Sequence, residues 1–107
     1  MNAKFEHELI VCIVNEGFSD AVMEVARSVG AKGGTILHAH GAANKDAETF
    51  FGITIQPNKE LLMILVPAEL RPAMLDELYH KVGLNTPGQG IAFALPVDGV
   101  VGIGEKQ

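Results

Sequence analysis

The chain has 107 residues, 48% apolar and 20% charged, the composition of an ordinary globular domain with enough length for a real core. Thirteen acidic against eight basic residues leave a net charge of −5 with no Lys/Arg cluster, which argues against a nucleic-acid partner. MNAKFEHE puts charges where a signal peptide needs an apolar run, and no stretch reaches membrane-spanning length, so a cytoplasmic protein is expected. The single cysteine, Cys12, has no mate in the chain and fits a small apolar thiol in a reducing compartment.

Taken in chain order, residues 9–14 (LIVCIV) are six apolar residues in a row and predict a buried strand. Ser19 then offers an N-cap, and Val22, Val25, Ala26 and Val29 repeat at helical spacing up to a stop at Gly30. Lys32-Gly-Gly-Thr35 leads into a second strand over 35–40. Residues 41–49 (GAANKDAET) are small, polar and without period, which predicts an exposed loop. Residues 50–56 read as a short strand or one arm of a hairpin, Pro57-Asn58 as a turn, and 61–66 as the third main strand. A second helix starts near 67–69, holds Pro72 in its first turn and ends at Gly83. Residues 85–90 (NTPGQG) form a tight loop, 91–97 the last strand, and 98–107 a flexible tail.

A shift of 53 residues lays the chain over itself: 9–14 falls on 62–67, the apolar positions of one helix on those of the other, and Gly30 on Gly83. Two copies of one β-α-β unit predict a single α+β domain. Its architecture is the ferredoxin-like one, a four-stranded antiparallel sheet with both helices on one face. Such a sheet calls for strands that alternate apolar and polar, yet 9–14, 61–66 and 91–95 are apolar at every position. The bare face is therefore expected to be a large apolar patch, covered by other copies of the chain in an obligate homo-oligomer.

These features resemble the P-II nitrogen-regulatory signal-protein superfamily over nearly the whole chain. The resemblance rests on the double β-α-β order, Lys32-Gly-Gly-Thr35, the long loop after the second strand, and above all Thr86-Pro-Gly-Gln-Gly-Ile-Ala-Phe-Ala-Leu-Pro-Val97 followed by Asp98. It implies a homotrimer whose sheets line a central core, small effectors in clefts between subunits, and a mobile loop, here 41–50, that engages a target enzyme or transporter. Two departures concern the effector. Relatives that chelate ATP carry a lysine after the second glycine of the short loop, where this chain has Ile91. They also carry an Arg-x-Arg pair where Gly102 and Gly104 flank Ile103. Phosphates buried without those cations are costly, so an adenine nucleotide other than ATP is the first expectation. The loop also lacks the tyrosine that many relatives modify.

Gly33, Gly34 and Thr35 with Gly88, Gln89 and Gly90 occupy equivalent points of the repeat and can expose backbone N–H groups to a phosphate or an adenine, with Lys32 beside them; both can equally be plain helix-to-strand turns. Thr86 joins this set through the resemblance. Lys45, Phe50 and Phe51 are the candidate partner contacts of the loop. His38 and His40, two apart on one strand face, could hold a divalent metal, as in the copper-tolerance trimers of the same fold, or be two polar strand residues. No nucleophile-and-base pattern or carboxylate pair is evident, and no catalysis is expected.

Overall fold

The computed structural model describes residues 5–42, 49–50, 53–54, 58–84 and 89–103. The element order is β1 (His7–Asn15), α1 (Ser19–Val29), β2 (Thr35–His40), β3 (Thr49–Phe50), β4 (Ile53–Thr54), β5 (Asn58–Pro67), a short 3-10 turn (Ala68–Leu70), α2 (Arg71–Lys81) and β6 (Gly90–Val97). The four long strands form one antiparallel sheet in the order β2-β5-β1-β6, which places the central strand of each repeat side by side and the second strand of each at an edge. β3 and β4 pair separately, Phe50 opposite Ile53, as a hairpin arm within the long connection. Most of the predicted loop 41–50, including Lys45, and also Phe51, Thr86 and Gly88, lies outside the described residues.

Period-two alternation decides which strand residues meet the helices. Ile10, Cys12 and Val14 of β1 and Leu62, Ile64 and Val66 of β5 are buried against Val22, Met23 and Ala26 of α1 and Met74 and Leu78 of α2. At the β6 edge the same face carries the small Ala92 and Ala94, packed against that core. The other parity faces away from the helices. There the strand register aligns Leu37, Leu61, Ile13 and Ile91 in one row across the sheet. Met63, Val11 and Phe93 make a second row, and Leu65, Leu9 and Leu95 a third. Ile91, Phe93 and Leu95 are 57%, 39% and 48% exposed. The expected two-sided apolar sheet is thus present, with its bare side defined residue by residue.

The helix ends are secured from the strands. Ser19 does not cap α1: it is the first helical residue, Phe18 holds the cap position, and no side-chain cap is made there. The Glu60 carboxylate on β5 accepts from the backbone N–H of Gly17 and of Ser19, each at 3.1 Å, and supplies the negative charge that a helix start favours. Near the start of α2, Arg71 donates to the buried Glu8 carboxylate of β1 at 2.9 Å. Each central strand therefore holds a carboxylate near the start of the other repeat's helix. Pro72 lies within the first turn of α2, where its missing N–H has no helical partner to lose.

Two glycines are required by close approach. A Cβ on Gly34 would lie 3.1 Å from Ile64 Cγ1 and 3.1 Å from Met23 Sδ. At Gly90, with φ +152°, it would lie 2.5 Å from the Ile13 carbonyl oxygen and 3.0 Å from Val14 Cα, so backbone must move. Gly33 has open space around it. Gly90→Ala is expected to cost about 2 kcal/mol or more in denaturant unfolding, against about 0.5 kcal/mol or less for Gly33→Ala. Equal costs for the two substitutions would show that the β1–β6 contact is looser than described.

Candidate functional site

The chain segment between α1 and β2 borders a cleft of about 390 Å³. Gly30 turns the chain out of α1, and Ala31 to Thr35 then form one wall. The floor comes from the bare side of the sheet, Met63, Leu65 and Pro67 of β5, and Ile103 closes it from the far end of the chain. Gly33, Gly34 and Thr35 are thus on a cleft wall. Gly34 also has a packing reason to be glycine, whereas Gly33 has none, which leaves Gly33 as the position where a ligand can approach the main chain.

Gln89 and Gly90 are elsewhere. They start β6 at the opposite edge of the sheet, with Gly90 across from Val14, while Thr35 on β2 lies across from Met63. One copy of the chain does not bring the two glycine segments together. A ligand that meets both must lie between copies. Ile91 points to the bare side and extends the first apolar row beside Ile13, so it belongs to that surface and brings no charge to the β6 end. Residues 98–103 turn back from β6: Asp98, Gly99 and Val100 border a neighbouring cleft of about 400 Å³ together with Phe5, Glu6 and His7. Ile103 borders both clefts.

His38 and His40 are on the edge strand, exposed to solvent, on the parity of the helix-covered face, across from Glu60 and Asn58. Among the described residues no three His, Cys, Asp or Glu side chains are grouped to hold a metal ion. Burial pushes the Cys12 thiol up to about 12, so it is neither a ready nucleophile nor a ligand. No described helix is long and apolar enough to cross a membrane.

Sequence reasoning offered His7 only as one candidate third ligand to a metal at His38 and His40, and passed over Ile103 and Glu60 as site residues. His7 is two residues before Leu9 and shares its face, a parity visible in the sequence once the strand is extended. Ile103 carried no signal, because its position follows from how the chain turns after β6. Glu60 was legible as the one acidic residue on the core parity of β5.

No protein-family model and no curated protein matches this chain. Solved structures do. A PII-like signalling protein of Thermus thermophilus superposes with a TM-score of 0.65 at 20% identity, over 87% of each chain. CPII, a nitrogen-regulatory PII-like protein of Thiomonas intermedia bound to ADP, AMP and bicarbonate, gives 0.68 at 15% identity over 92% of this chain and 98% of its own. Arabidopsis thaliana PII bound to citrate gives 0.68 at 16% identity over 92% and 84%. The chain therefore has the fold of the PII-like signalling proteins, the ferredoxin-like arrangement that the internal repeat predicted.

Burial raises the affinity of the Glu60 carboxylate for a proton, but bonds from the Ser19 side chain and the Ser19 and Gly17 backbone, with the nearby His38 charge, outweigh it and lower its pKa below the ordinary 4.5. A lowered folded value means that this stabilisation is present above the ordinary carboxylate range and is lost as pH falls through the folded value. Glu60→Gln keeps an acceptor oxygen and deletes the charge. It is expected to cost about 1 kcal/mol at pH 7 and to flatten the acid limb of the stability-versus-pH curve. An unchanged acid limb would show that Glu60 does not hold the start of α1.

Proposed function

We propose that the chain is a PII-like regulatory protein. Three copies pack their bare sheet faces together, a small effector binds in the clefts between them, and the 41–50 loop passes its presence to a target enzyme or transporter. The observation that carries this reading is one juxtaposition: the Gly33 cleft opens on the rim of an uncovered apolar sheet, on the fold of the PII-like signalling proteins. A second copy brought against that rim can add its own β6 start, Gln89 and Gly90, to the 33–35 wall of the first.

The effector we propose is an adenine nucleotide with few phosphates. CPII is bound to ADP, AMP and bicarbonate. Here the apolar floor of Met63, Leu65, Pro67 and Ile103 suits a planar base, and Lys32 is the one permanently charged side chain on the cleft wall among the described residues. Binding would then change the order of the loop, with Lys45, Phe50 and Phe51 as the contacts it offers a partner. The role is regulation in the cytoplasm rather than catalysis, the sensing role of nitrogen-regulatory proteins being the nearest parallel.

Thermal unfolding with and without AMP, ADP, ATP, bicarbonate and citrate tests the sensing role. At a hundredfold excess over Kd, AMP or ADP is expected to raise the melting temperature by about 5 °C or more, with ATP giving the smaller shift. A melting temperature unmoved by every one of these compounds overturns the effector reading.

A further inference from the structure

We draw no further inference here: the strongest candidate, the cleft of about 400 Å³ between the end of β6 and the start of β1, carries none, because its chemistry is that of two exposed carboxylates, Glu6 and Asp98, and nothing in the structure points to a ligand beside them.

Discussion

Both sides of one sheet are apolar, and the chain has helices for only one of them. Ten large apolar side chains, in three aligned rows from Leu37 to Leu95, remain on the other side. Burying a side chain of this size fully is favourable by about 1.5–3 kcal/mol, so completing the partial burial of ten amounts to something on the order of 10 kcal/mol per copy. Association of folded chains costs about 4–15 kcal/mol in lost freedom, so a contact spread over all three rows outweighs it only as a large, continuous interface. The Gly33 cleft opens at the rim of that face, so in the proposed assembly its completion would depend on the contact.

The repeat explains why the candidate binding segments come as a pair. Each unit runs strand, helix, glycine turn, strand, and the order β2-β5-β1-β6 places the two glycine turns at opposite edges and opposite ends of the sheet. The same pseudo-symmetry relates the two carboxylates that reach from the central strands to the helix starts, Glu60 to Gly17 and Ser19, and Glu8 to Arg71. The helices are thus tied down from within one chain, while the glycine turns do not meet within it.

Much of this was legible from residue order. The apolar runs at 9–14, 61–66 and 91–95 have no polar parity, and that alone implied a second apolar face; the structure assigns Leu9, Val11 and Ile13 to it and leaves Ile10, Cys12 and Val14 under the helices. Helix ends were legible where glycine marks them. The cap of α1 was not, because the residue that secures it is 41 positions away in sequence and arrives only when β5 pairs with β1. For the same reason the cleft was half visible: Gly33, Gly34 and Thr35 are local, whereas His7, Met63 and Ile103 reach the same place by sheet pairing and a chain reversal that no local pattern records.

Sedimentation equilibrium at micromolar concentration, on the wild type and on Phe93→Glu, tests the covered sheet most directly. The account predicts a wild type at three times the mass of one chain, and a variant that dissociates or unfolds because a carboxylate is placed in the middle row of the interface. A wild type that sediments as a well-folded single chain, with Phe93→Glu no different, would contradict it.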